Sequence, residues 1–396
     1  MIEILEPFLD KTETNKIIYP ITIDETTYEF YIQYDFLKKI ELNTNIDAIV
    51  IMLSSLAICN KWKIKSSLPI DKVLYNNLLN LPSTYKKYHK KHTSMLGMVA
   101  IDELNLILDI PTCNRSTNSK GLNANITPIS MGIDSLHTIL LNKDELSHII
   151  YINNMDLSNK DPKFYDKINI VSNKYNKPLI VANSNFKKVV LSLKSKESTA
   201  NNIIKLPGIN YGVFTSDAIL LASCYPLGIK HLYFSGFGNK NFPCLMGQHS
   251  EINKYFNSNE FITSNNETER IKKIDFIVKS DETLIKYIRV CNEWPDKKCA
   301  NCSKCRKCMI TMLYFYILGY YEKLKNTFLI PHDSIIQENL LTIYKGSDKG
   351  LSTIYFDKIY EAFLNLYLEN NRKPLNNIIN NYDSDFINED YRLISL

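Results

Sequence analysis

Hydrophobic and polar positions along the chain fall into two regimes. In "KIIYPITIDETTYEFYIQYD" (16–35) they alternate, which predicts a β-hairpin. Residues 46–59 are apolar nearly throughout and predict a buried helix, and "WKIKSSLPIDKVLYNNLLNL" (62–81) predicts a strand leading into an amphipathic helix. The polar run that follows, "CNRSTNSKGLNAN" (113–125), has no apolar period and predicts a linker or surface loop. Beyond it, apolar strands alternate with helical segments: "NITPIS", 133–143, "SHIIYINN" (147–154), 160–176, "PLIVANSN" (178–185), "SDAILLASCYP" (216–226) and "IKHLYFSG" (229–236). That alternation predicts an α/β fold with a parallel sheet covered by helices on both faces. The patterns at 309–322 and 353–381 predict a helical C-terminal portion.

The domain organisation expected from this pattern is an N-terminal α+β domain over 1–112, a linker over 113–123, an α/β domain over 124–290, a cysteine-rich segment and helix over 291–325, and a helical portion over 326–396. A chain of 396 residues, 45% hydrophobic and 22% charged, is long enough for two or three such domains. Its longest apolar runs fall short of the roughly 20 residues that span a bilayer, so no membrane partner is expected. "MIEILEPFLD" carries acids where a secretory leader needs lysines, which points to a cytoplasmic chain. A net charge of +5 is too mild to argue for nucleic acid by itself.

Ligands of open parallel sheets bind beyond the carboxyl ends of the strands. The first such end reads Ser130-Met131-Gly132-Ile133-Asp134-Ser135 and runs straight into a helix. Small polar residues and a glycine at this point have two readings. One is a turn that merely caps the helix. The other is an anion site, in which backbone N–H groups, hydroxyls and the positive helix end surround a phosphate. Neither the Walker pattern nor G-x-G-x-x-G is present, so a P-loop hydrolase or a dinucleotide fingerprint is not supported. Asn153 to Asp156 and Ser235-Gly236-Phe237-Gly238-Asn239 lie at two further strand ends. Asp156, Gly236, Asn239, Asn241 and Gly247-Gln248-His249 are candidates for contacting a nucleotide or acceptor, each weighed against a plain solvated loop. His137 on the new helix, and Glu269, Arg270 and Lys273 on a later one, are further charged or titratable candidates; a cation on the later helix would balance polyphosphate charge.

Of nine cysteines, Cys291, Cys299, Cys302, Cys305 and Cys308 crowd into one short stretch. In a reducing compartment such a cluster holds metal more readily than disulfides. Tetrahedral zinc takes four thiolates, so one of the five is spare: either Cys299, Cys302, Cys305 and Cys308 form the shell, or Cys291 joins the last three. A [4Fe–4S] cluster is the alternative occupant. The interleaved Lys297, Lys298, Lys304, Arg306 and Lys307 would offset the negative charge of such a centre.

The hexapeptide resembles the S-G-G-x-D-S signature of the PP-loop ATP pyrophosphatase superfamily. Ser130, Gly132, Asp134 and Ser135 match it, while Met131 stands at its first glycine. The cysteine segment is similar to the zinc site of the 7-cyano-7-deazaguanine synthase branch, with Cys308 running into Met309-Ile310-Thr311-Met312-Leu313, and the similarity spans about residues 124–320. The resemblance implies a Rossmann-like sheet, ATP with Mg²⁺ held by residues 130–135 with Asp156 and Gly236, and Zn²⁺ on Cys291, Cys302, Cys305 and Cys308. It implies that a carboxylate or amide oxygen attacks the α-phosphorus, pyrophosphate leaves, and a nitrogen nucleophile displaces AMP, with Asp134 and Ser135 at the chemistry. The acceptor would be a small molecule or be carried on nucleic acid or protein, and a homodimer is compatible with this picture. Sulfur transfer through Cys299, Cys224 or Cys244 is an alternative outcome of the same activation. A non-catalytic binding module, its nucleotide site lost at Met131, is the reading from a different class.

Overall fold

The computed structural model describes residues 1–35, 40–96, 105–115, 121–153, 162–190, 211–236, 250–268, 270–291, 301–303 and 306–328. In chain order the elements are β1 (Ile2–Ile4), β2 (Phe8–Leu9), β3 (Lys16–Ile23), β4 (Thr26–Asp35), α1 (Asp47–Asn60), β5 (Lys63–Lys65), β6 (Ile70–Asp71), α2 (Lys72–Leu96), β7 (Ile107–Asp109), β8 (Thr112–Cys113), β9 (Asn125–Pro128) and α3 (Ile133–Leu141). They continue with β10 (His148–Ile152), α4 (Pro162–Lys174), β11 (Leu179–Ser184), α5 (Tyr211–Cys224), β12 (His231–Phe234), α6 (Ser250–Asn253), β13 (Ile262–Asn265), α7 (Arg270–Asp281) and α8 (Arg306–Ile317). The helix expected over 353–381 lies outside the described residues.

The chain divides into two compact units, the first made of 1–129, 142–159 and 172–267, the second of 130–141, 160–171 and 268–396. The first contains one 11-stranded sheet in the order β13-β12-β9-β10-β11-β4-β3-β1-β5-β7, with β2 beside β3. From β13 to β11 every neighbouring pair is parallel. Taken in chain order those five strands stand 5-4-1-2-3, the arrangement of a doubly wound Rossmann-like sheet. Ile126, Thr127, Ile149, Ile150, Ile180 and Leu232 are all fully buried, the near-continuous burial expected of parallel strands.

The predicted N-terminal hairpin forms. Asp24 and Glu25 occupy its tip with φ of 46° and 66°, the left-handed pair that matches the twist of a two-residue hairpin. Phe30, Ile32 and Tyr34 alternate inward along β4. This hairpin does not build a sheet of its own: β4 pairs antiparallel with β11, Val181 opposite Asp35 and Ser184 opposite Ile32. The large sheet is therefore mixed, because β11 would otherwise offer a row of unsatisfied backbone groups. Helix α1 is apolar around its circumference, and Ala48 to Leu53 are buried where it packs with α5.

In the second unit α3 packs along α7, with Ile133, Leu136, Ile139, Ile274 and Ile277 fully buried. Among the described residues, no helix is long and apolar enough to cross a membrane.

Candidate functional site

The order of the parallel strands reverses between β9 and β12, since β10 and β11 continue to one side of β9 and β12 and β13 to the other. Such a switch point is where doubly wound sheets leave a crevice for ligand. The chain leaving β9 passes Ile129, whose N–H donates to the Ile150 carbonyl at 2.9 Å, and enters the 130–135 loop. The chain leaving β12 passes Ser235, buried with no hydrogen-bond partner for its hydroxyl among the described residues, and Gly236. A Cβ on Gly236 would stand 2.8 Å from the Asn266 carbonyl oxygen, so close approach to the end of β13 requires glycine there. At the neighbouring strand ends Asn153 donates its amide to Asn183 at 2.7 Å. Asp156, Asn239, Asn241, Gly247, Gln248, His249 and Glu269 lie outside the described residues.

The 130–135 loop belongs to the second unit and divides its six residues cleanly. Ser130 is exposed and Gly132 and Asp134 are partly exposed, while Met131, Ile133 and Ser135 are buried. Met131 carries a φ of 59° and is wholly inaccessible. The left-handed conformation that glycine adopts freely is therefore kept with a methionine, whose thioether turns into the core of the unit and away from solvent. The Met131 carbonyl accepts from the Arg289 N–H at 2.8 Å. Ser135 closes the turn from inside. Its Oγ accepts from the Ser130 N–H and the Ser130 Oγ, each at 3.3 Å, and donates to the Gly132 carbonyl at 3.0 Å. The first α-helical bond of α3 runs from Leu136 N–H to Gly132 C=O at 3.1 Å. The amides ahead of it have no acceptor within their own helix.

Asp134, expected at the chemistry, makes a double ion pair. Its Oδ1 lies 2.7 Å from Lys273 Nζ and its Oδ2 3.2 Å from Arg270 Nη2. Burial works against the charged carboxyl, but the Lys273 and Arg270 cations outweigh it and hold the group down at about 2. Arg270 and Lys273, the candidates for a cation balancing polyphosphate charge, thus lie on Asp134, and Lys273 is completely buried. His137 sits beside them, its ring edge-on to Phe276 at 5.1 Å between centroids. Burial, aided by the nearby Lys273 cation, pushes His137 down to about 4, so it is neutral at pH 7. Its Nδ1 has no hydrogen-bond partner among the described residues.

The second constellation is the thiol cluster. Cys291, Cys302 and Cys308 are buried with all three Sγ atoms within 4.8 Å of one another. Cys302 and Cys308 are 3.9 Å apart, close to the edge of about 3.8 Å that a tetrahedron with Zn–S bonds of about 2.3 Å requires. Cys113, Cys224, Cys291, Cys302 and Cys308 are all free thiols. The three thiols can hold a metal. Cys291 belongs to this group, as in only one of the two ligand sets left open by spacing; Cys299 and Cys305 lie outside the described residues. Cys308 lies in the first turn of α8, where the helix dipole favours a thiolate. Ser303, buried at φ 61°, supplies the sharp turn between the two later thiols. Cys224, a candidate sulfur carrier, is buried in the first unit with its thiol pushed up by desolvation and donating to the Leu220 carbonyl, which disfavours the reactive thiolate. Cys244 lies outside the described residues.

Two participants escaped the sequence reading. Arg289 acts through its backbone N–H, which carries no side-chain signature, and Asn301 sits inside the cysteine segment where the thiols draw the eye. Comparison with models of known protein families, with curated proteins and with solved structures finds no match to this chain.

Proposed function

We propose that the chain is an ATP-dependent adenylating enzyme of PP-loop type, and the observation that carries this reading is the position of the 130–135 loop directly after β9 at the switch point of a 5-4-1-2-3 sheet. Exposed Ser130 and partly exposed Gly132 sit beside the amides that open α3, and together they would grip the pyrophosphate end of the nucleotide. An oxygen of the substrate carboxylate or amide attacks the α-phosphorus, the bond to the β-phosphate oxygen breaks, and pyrophosphate leaves. A nitrogen nucleophile then displaces AMP. The loop contributes positioning and charge stabilisation. Asp134 acts through Lys273 and Arg270, keeping the loop rigid. The thiol cluster, with Cys305 as fourth ligand, would hold zinc in a closed shell that leaves no position for substrate.

The test is calorimetric titration of the full chain with a non-hydrolysable ATP analogue and Mg²⁺, repeated on Gly132→Ala. An added Cβ there meets Ser130 Oγ at 3.4 Å and the Arg289 carbonyl at 3.7 Å, ordinary contacts that the fold accepts. Binding by the parent chain and a tenfold or greater loss in the variant, with unchanged thermal stability, supports the reading. No binding by the parent, and no pyrophosphate release with any acid offered, overturns it. A second reading, a binding module without catalysis, is favoured by the two cations that occupy both Asp134 oxygens and by the burial of Ser135. Nucleotide binding without pyrophosphate release would select it.

A further inference from the structure

Asn301 is fully buried, and its carboxamide uses both acceptor and both donor positions. Oδ1 accepts from the N–H groups of Val290 at 2.8 Å and Cys291 at 3.2 Å. Nδ2 donates to the carbonyls of Ile288 at 2.8 Å and Thr327 at 3.1 Å. Thr327 in turn donates its hydroxyl to the Ile285 carbonyl at 3.0 Å. One side chain thus ties the 288–291 segment to Thr327, and the residue after Asn301 is Cys302.

Three consecutive residues of that segment have three different attachments. Arg289 donates its N–H to the Met131 carbonyl, Val290 donates to Asn301, and Cys291 is a thiol of the cluster while also donating to Asn301. Met131 holds a left-handed backbone that is strained for a non-glycine residue, so something outside the loop must keep it there. The Arg289 bond is the contact that grips its carbonyl. A shift of 288–291 by an ångström would break that bond.

We propose that Asn301 is a positioning residue that couples the cysteine cluster to the 130–135 loop, so that metal loading holds the left-handed turn at Met131. The inference rests on the cluster binding metal and deepens the proposed function by making the loop's conformation depend on that metal. With the cation present, Cys291 and Cys302 are fixed relative to each other, Asn301 keeps its four bonds, and Arg289 is presented to Met131. With the cation removed, nothing ties Cys291 to Cys302 and Cys308, the 288–291 segment loosens, and Met131 relaxes to a right-handed backbone.

The experiment is hydrogen exchange by mass spectrometry on the full chain, zinc-loaded and chelator-stripped under reducing conditions, with metal content measured on each sample. Stripping is expected to speed exchange at least tenfold in peptides covering 130–136 and 288–291, while α7 stays protected. Asn301→Ala is expected to keep its zinc yet exchange as fast as the stripped parent in 130–136. If that variant fails to fold, the stripped and reloaded parent decides. Unchanged exchange at 130–136 on stripping overturns the proposal, as does protection of that segment in zinc-bound Asn301→Ala. Equal loss across α7 also overturns it, because the metal would then hold the whole unit without selecting the loop. A chain that takes up no metal overturns the metal reading itself, and the metal measurement tells that failure apart from the others. Nucleotide affinity enters none of these readouts, so the coupling and the ATP reading stand or fall separately.

Discussion

Lys273, with no solvent-accessible surface, places its ammonium 2.7 Å from a carboxylate oxygen of Asp134, which is itself about one-third exposed. The pair is therefore asymmetric in burial: the cation is cut off from water, whereas the carboxylate is in contact with it and also with Arg270.

That asymmetry predicts unequal costs for the two deletions. Asp134→Asn removes a carboxylate 2.7 Å from a fully buried ammonium and should cost about 2–4 kcal/mol, the range for breaking a buried pair tempered by the exposure of Asp134. Lys273→Met keeps most of the stem volume, leaves Asp134 on Arg270, and should cost about 1 kcal/mol. Urea unfolding midpoints at unchanged slope measure both. Equal costs, or the reverse order, would show that the pair does not control the turn.

Acid should weaken the second unit in two steps. His137 lies near 4 in the folded chain against 6.5 ordinarily, so the unfolded state takes up its proton first, and stability is full above about pH 6.5 and falls towards pH 4, by up to about 3 kcal/mol. Asp134, held at about 2 against 3.8, contributes stability that is present above pH 3.8 and lost as pH falls towards 2. His137→Leu should flatten the upper window and Asp134→Asn the lower. A stability profile of the histidine variant that still slopes between pH 6.5 and 4 would assign that window to other groups.

Placing a glycine at Met131 sets two effects against each other. Relief of the left-handed backbone is worth about 1 kcal/mol, while removing a fully buried side chain costs about 2–5 kcal/mol through the cavity left behind. Packing wins, and Met131→Gly should lower stability by about 1–4 kcal/mol in thermal or urea unfolding. A more stable glycine variant would mean that the thioether contributes little to the core.

What the sequence made readable follows from the range of each interaction. The hairpin, the buried α1 and the strand-to-helix turn at 130–135 are written in local periodicity and turn chemistry, and they appear where the pattern puts them. Crowded thiols revealed the metal candidate, but their spacing left two ligand sets, and only the fold brings Cys291 back to Cys302 and Cys308. The inward turn of Met131, the capture of Asp134 by Lys273 and Arg270, and the grip of Arg289 on Met131 join residues more than a hundred positions apart. Backbone amides and buried amide side chains leave no periodic trace, so Arg289 and Asn301 read as ordinary positions until the chain is folded.

The union of β4 with β11 bears on how the molecule is made. A ribosome delivers the N-terminal hairpin long before it delivers residues 179–184, and until then the outer edge of β4 has no neighbour. Newly made chains pass through a period with an open, apolar-flanked strand edge, the form most prone to sticking to its own kind. Truncated products ending short of β11 should accumulate as aggregates, and a chaperone that shelters the first forty residues would govern the yield of the whole protein.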